Sequence, residues 1–305
     1  MKFSWLRMSG IVLAGILCLA LATSATAQVV VTVDGDTAYA TISLTGSNGV
    51  TYDADVTIVF DTPQHLTPRS LNLTAEIIDP SDVQGRLPPQ ICLPLLGCTG
   101  VEVDPAFPVM ITVEPIDFPM IYVGNFDSAG GATGDLSFLN TYQFDVHTHD
   151  LVYQQNSVYR LFKAPIDGQF YDVTNDVMPG SVRVRGRGGE FSQFIVVSDT
   201  RAPLGVALGK IADLNLVILA AVIDEGLRLD LLGLLAQVDT LLIVDLTGAL
   251  AALGDLIDLV DANSGTNIAN VWSARRNVVN DAGAMDERAL TLQFTMLRMQ
   301  GNTNP

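Results

Sequence analysis

Histidine, cysteine and basic residues are scarce in this 305-residue chain, and each shortage removes a class of function. Three histidines, His65, His147 and His149, leave few bases for nucleophilic catalysis, and no G-x-S-x-G elbow accompanies them. Cysteine occurs at Cys18, Cys92 and Cys98, without the C-x-x-C spacing of a thiol catalyst. Lys and Arg number 16 against 33 Asp and Glu, a formal net charge of −17. Such a surface repels phosphate backbones and anionic headgroups, which argues against nucleic acid as a partner. Proline is missing between Pro203 and the last residue, Pro305, so none is there to break a helix. Beyond the N-terminus, long uncharged runs are missing as well. In the apolar stretch 204–260 the longest is Leu214–Ile223, ten residues, where a spanning helix needs roughly 20. The expectation is no transmembrane segment once the N-terminus is removed.

The N-terminus carries the information that those shortages leave. MKFSWLR holds Lys2 and Arg7, the apolar run IVLAGILCLALA follows, and TSATAQ places small residues at Ala25 and Ala27. A basic start, an apolar stretch and an A-x-A site read as an export signal cleaved after Ala27. Residues 1–27 are therefore expected to be a signal peptide, and the mature protein is expected in the periplasm, outside the cell or at its surface. Losing Lys2 and Arg7 leaves 14 basic against 33 acidic residues, a net charge of −19. Cys18 departs with the signal. Cys92 and Cys98, in CLPLLGC, are expected to form a disulfide in an oxidising compartment. So short a closed loop puts its contribution at the low end of roughly 2–4 kcal/mol.

Residues 28–201 read as strands. VVVTVDGDTAYATISL is a hairpin with DGD at its turn, and YDADVTIVF and LNLTAEII alternate polar and apolar positions. Prolines 88, 89, 94, 105, 108, 115 and 119 punctuate an irregular stretch that contains one further strand, VMITVEP. Five more candidate strands run to about residue 200. Many short strands between Gly, Pro, Asn and Asp turns predict an antiparallel β-sandwich, Ig-like or jelly-roll-like, as one unit or two. Residues 202–285 change texture and read as an apolar helical module with a polar linker, because Leu and Ala at this density favour helix. DLNLVILAAVID, DLLGLLAQVD and DLTGALAALGD each open on Asp-Leu, which makes Asp213, Asp230 and Asp245 N-cap candidates. Residues 286–305 are expected to return as a strand with a tail, since ALTLQFTML alternates cleanly from Ala289 to Leu297. The fold class is thus mainly β with an α-helical insertion.

The sharpest chemical motif is DVHTH. On a strand, Asp145, His147 and His149 share one face, while Tyr142, Phe144 and Val146 share the other. The spacing resembles the opening motif of amidohydrolase and PHP-type metallohydrolases, which implies a metal-dependent hydrolase using Asp145, His147 and His149. Those families add histidines from later strands of a β/α-barrel. No histidine follows His149 here, and strands do not alternate with helices. The plainer reading is a half-buried strand with its polar side in water. Between these stands a zinc or copper site, because two imidazoles and a carboxylate can each donate a ligand. Calcium is a further candidate at Asp34/Asp36 and at Asp127/Asp135, although turn chemistry explains those aspartates without a metal. Arg183, Arg185 and Arg187 in RVRGRGG form a basic cluster able to face an acidic partner.

The sequence-based expectation for function is an exported, non-catalytic structural or interaction protein with no dedicated catalytic residues or cofactor. A protein partner or self-association through the helical module fits this reading. The alternatives are a carrier of apolar ligands through that module and, last, the hydrolase.

Overall fold

Alternation between β-branched and small residues builds the first sheet. The computed structural model describes residues 26–93, 97–116, 135–275 and 278–301. Strands β1 (Thr26–Asp34), β2 (Thr37–Thr45) and β3 (Thr51–Gln64) form an antiparallel meander. The β1–β2 turn places Gly35 at φ +61°, a left-handed conformation that a side chain resists. Strand β1 begins at Thr26, so cleavage after Ala27 would leave it starting at Gln28, opposite Ser43. The remainder of the expected signal, 1–25, lies outside the described residues.

After β3 come the short helix α1 (Pro68–Leu71), β4 (Leu73–Ile77), the short helix α2 (Pro80–Gln84), β5 (Ile91–Leu93), β6 (Gly97–Thr99), β7 (Val101–Val103) and β8 (Val109–Val113). Then follow β9 (Ser137–Val152), β10 (Tyr159–Ala164), β11 (Tyr171–Asp172), β12 (Thr174–Met178), β13 (Ser181–Gly188) and β14 (Gln193–Asp199). One sheet runs β1-β2-β3-β9-β13-β12. The other runs β11-β10-β14-β8-β4, with β7 added on β14. Their inner faces share one core: Ala40, Ile42, Val56, Ile58, Phe144 and Val146 meet Ile111, Val113, Leu161, Phe194 and Val196. The fold is therefore a single mainly antiparallel β-sandwich with helices attached. The second sheet also buries its far side, where Val101, Phe162, Ile195 and Val197 pack beneath Val83 and Leu87. The far side of the first sheet is polar over β3, β9 and β13.

Three helices follow β14: α3 (Pro203–Ala220), α4 (Glu225–Leu241) and α5 (Leu246–Asn263). Their interior is filled by Ile211, Leu214, Ile218, Leu231, Leu235, Leu253 and Leu256. Of the expected caps, Asp245 caps α5 by accepting from the Gly248 N–H at 3.0 Å. Asp213 and Asp230 instead lie on exposed turns inside α3 and α4. The cap of α4 is Asp224, whose carboxylate accepts from Gly226 at 2.8 Å. Arg228 turns back to donate to the carbonyls of Ile218 (2.8 Å), Leu219 (3.0 Å) and Ala221 (3.1 Å), and so satisfies the open end of α3.

Helix α3 is the most apolar of the three. By length and composition it is the one described helix able to cross a membrane, with mean hydropathy 1.6 and a third of it buried. Lys210, at its middle, ties it to the sandwich. The ammonium lies 2.6 Å from the Asp172 carboxylate, 2.6 Å from Thr291 Oγ1 and 2.9 Å from Thr295 Oγ1, and both charged side chains are buried.

The expected C-terminal strand, Ala289–Leu297, is also overturned. It lies within helix α6 (Asp281–Met299), and the strand that returns to the first sheet is β15 (Val271–Ser273), paired with β9. The alternation misleads because Thr291 and Thr295, its polar positions, do not face water. Both are buried against Lys210, and Thr291 Oγ1 donates to the Thr174 carbonyl at 2.9 Å. Helix α6 packs between α3 and α5 on one side and β9, β12 and β13 on the other, so its surroundings conceal the helical period. Helix signals are present at its ends: Asn280 caps Gly283, and Arg298 sits in the last turn. Gly283 and Gly189 lie against each other, and Gly283 touches the Asn140 carbonyl, an approach that any side chain would block.

Candidate metal centre

The polar face of the first sheet carries a cross-strand row. Register places Thr41 opposite Asp55, Asp55 opposite His147, and His147 opposite Arg183. The next row runs Thr57, Asp145 and Arg185. Facing residues in adjacent strands hold their side chains within contact range, so pairing alone assembles the cluster.

The sequence grouped Asp145 with His147 and His149. The structure instead brings Asp55, from β3, to the two histidines. One ligand atom from each of Asp55, His147 and His149 lies within 4.8 Å of the others. His149 Nε2 is 3.0 Å from Asp55 Oδ2, and His147 Nδ1 is 4.0 Å from the same oxygen. Ligands around tetrahedral zinc stand roughly 3.3 Å apart, given metal–ligand distances near 2.0–2.1 Å, so modest side-chain rotation closes the shell. Thr41 Oγ1 donates to Asp55 Oδ1 at 3.2 Å and leaves Oδ2 facing the histidines.

The ring of His147 is oriented for this use. Its Nε2 meets Ser181 Oγ at 2.5 Å, and its Nδ1 faces Asp55 and an Arg183 nitrogen at 3.4 Å. Arg183 can only donate, so Nδ1 carries the lone pair and Nε2 donates to Ser181 Oγ, the tautomer in which Nδ1 could ligate an ion that displaces the guanidinium. Burial, then the Arg183 guanidinium and His149, hold the His147 imidazolium below its ordinary pKa, with Asp55 and Asp145 opposing. The ring is thus neutral at pH 7.

Asp145 has another role. It is bound by Arg185 at 3.1 Å and Arg183 at 3.6 Å, and Arg185 also reaches Asp176 at 3.4 Å. Burial raises its pKa, opposed by the two guanidiniums. Two arginines occupy its oxygens, so Asp145 supports the arginines and is not placed as a ligand. The basic cluster singled out in the sequence is therefore engaged within the chain at Arg183 and Arg185.

The chain belongs to the family of unknown function DUF6689, whose model matches residues 14–300. No curated protein and no solved structure matches it.

The other predicted sites in this DUF6689 chain separate. Asp34 and Asp36 stand exposed at the β1–β2 turn, where Asp36 accepts from the Thr37 hydroxyl at 2.8 Å. Asp135 forms an ion pair with Arg275, and its proposed calcium partner Asp127 lies outside the described residues. His65 sits apart from the other histidines with φ +56°, and its carbonyl accepts from Ser70 Oγ at 2.6 Å. Sequence reasoning missed Asp55. Its only signal was its place on the polar side of YDADVTIVF, and nothing in the sequence says that this strand pairs with DVHTH, 94 residues away from His149.

Proposed function

We propose that this protein is an exported, non-catalytic binding protein that holds a late first-row divalent ion, zinc or copper, through Asp55, His147 and His149. The observation that carries the reading is the convergence of Asp55 with both histidines. Two imidazoles and a carboxylate suit these ions and suit calcium poorly. Turnover would need a free base beside a metal-bound water, and Asp145, the carboxylate of the adjacent row, is held by Arg183 and Arg185. Export rests on the basic start, apolar run and A-x-A site of residues 1–27. A Cys92–Cys98 disulfide belongs to the same proposal, because an oxidising compartment favours pairing of the two cysteines that remain after signal removal.

Calorimetric titration of chelator-treated protein with zinc tests the reading. One ion per chain at micromolar affinity is expected, abolished by Asp55→Ala or His147→Ala and retained by Asp145→Asn. Retention by Asp55→Ala together with loss in Asp145→Asn would restore the grouping read from sequence and refute this one.

A second reading, a partner surface on the helical module, is favoured by exposed Leu208, Leu216, Leu219 and Val222 along and just beyond α3. Light scattering after size exclusion tests it. A monomer unaffected by Leu216→Lys would leave self-association without support.

A further inference from the structure

The metal reading leaves an electrostatic problem at Arg183, and the problem points to a second ligand. The Nδ1 lone pair of His147 faces an Arg183 N–H at 3.4 Å. An ion about 2 Å from Nδ1 would take that lone pair and leave the displaced guanidinium close beside it. A divalent cation and a guanidinium so close repel unless something negative lies between them.

The protein does not supply that charge. Asp145 is shared by both arginines and sits nearer Arg185 (3.1 Å) than Arg183 (3.6 Å). Taken together, Asp55, Asp145 and Asp176 against Arg183 and Arg185 carry a formal −1. A divalent ion turns this to +1, and one monoanion returns it to zero. Space is available as well. A cavity of about 220 Å³ opens on the Arg183 side of His147, lined by Asp55, Thr57, Gln143, Asp145, Arg183 and Arg185 with the imidazole. Three protein ligands leave the fourth tetrahedral position vacant. The Arg183 side chain is 43% exposed and so has freedom to turn toward that position.

We infer that the site binds its ion together with a small oxyanion, a short carboxylate or an inorganic oxyanion such as phosphate, bridged between the metal and the Arg183 guanidinium. A planar fork of N–H donors matches two oxyanion oxygens while a third ligates the ion in phosphate, or one oxygen does both in a carboxylate. The inference rests on the metal reading, and linkage makes it separable: if the anion strengthens metal binding, the metal strengthens anion binding equally.

The test uses the full mature chain and cobalt(II), whose visible bands report its coordination. Cobalt is titrated in perchlorate, in acetate and in sub-millimolar phosphate at equal ionic strength. Acetate, phosphate or both should tighten apparent cobalt affinity by at least about fivefold, within the usual range of coupling between sites, and should shift the visible bands. The responding arm identifies the anion class. Arg183→Gln should lose the anion dependence, while Arg183→Lys should keep part of it. Equal affinity and spectra in all three media, or an unchanged response in a folded Arg183→Gln variant, would overturn the anion site and leave the metal reading standing. No cobalt binding in any medium would remove both.

Discussion

Asp286 on α6 offers a sharp test of the packing described above. Its side chain is 8% exposed, and its Oδ1 has no hydrogen-bond partner among the described residues. Burial first, and then the neighbouring Asp261 carboxylate, raise its pKa to about 7, with Arg187 opposing. A raised folded-state value means that the native protein holds this proton more tightly than the unfolded chain does. The stability tied to it is complete below the ordinary value of 3.8 and is lost as pH rises through about 7. The loss is at most about 4 kcal/mol, since each tenfold change in proton affinity is worth 1.36 kcal/mol. Asp286→Asn keeps the shape and removes the titration. At pH 8 it should raise the melting temperature by up to roughly 8–16 °C, at 2–4 °C per kcal/mol for a large domain. At pH 5 the gain should shrink to roughly a third of that, because the loss accumulates between the ordinary value of 3.8 and about 7. Thermal scans by circular dichroism across pH 5 to 8 provide the measurement, and the pH-dependent difference separates titration from any packing effect of the amide. A melting temperature change independent of pH, or a loss of stability confined to pH 8, would refute the reasoning.

Two further expectations follow from buried contacts and from the candidate centre. Lys210→Met strands the Asp172 carboxylate in the interior and should cost about 3–5 kcal/mol in urea unfolding, most of it recovered by adding Asp172→Leu; a loss below about 1 kcal/mol would mean that α3 is not anchored there. Because the neutral form of His147 is favoured by burial, Arg183 and His149, zinc affinity should stay flat from pH 8 to 7. Weakening already between pH 8 and 7 would contradict the depressed His147 imidazolium.

The strands were largely legible because a half-buried strand alternates. The runs YDADVTIVF, VMITVEP and TYQFDVHTHDLVY appear as β3, β8 and β9. The apolar helices were legible from Leu and Ala density, but their boundaries were not, since an aspartate inside an exposed turn looks the same in sequence as one at a cap. The candidate site was half legible. Strand period two placed His147 and His149 together with Asp145, whereas the carboxylate that converges with both rings is Asp55, brought from the neighbouring strand by pairing and not by spacing.

Sequence alone determined what depends on local pattern: an acidic chain with an export-like N-terminus, alternating strands, an apolar helical stretch, and two histidines on one strand face. Tertiary structure decided everything that depends on which segments meet. It placed α6 between a helical layer and a sheet, where threonines solvate a buried lysine and the alternation of ALTLQFTML ceases to mean strand. It also set β3 beside β9, which brought Asp55 to the histidines and left Asp145 to the arginines of β13. The physical reason is the same in both cases. A side chain's environment is supplied by neighbours distant in sequence, and burial or pairing by those neighbours overrides the local preference.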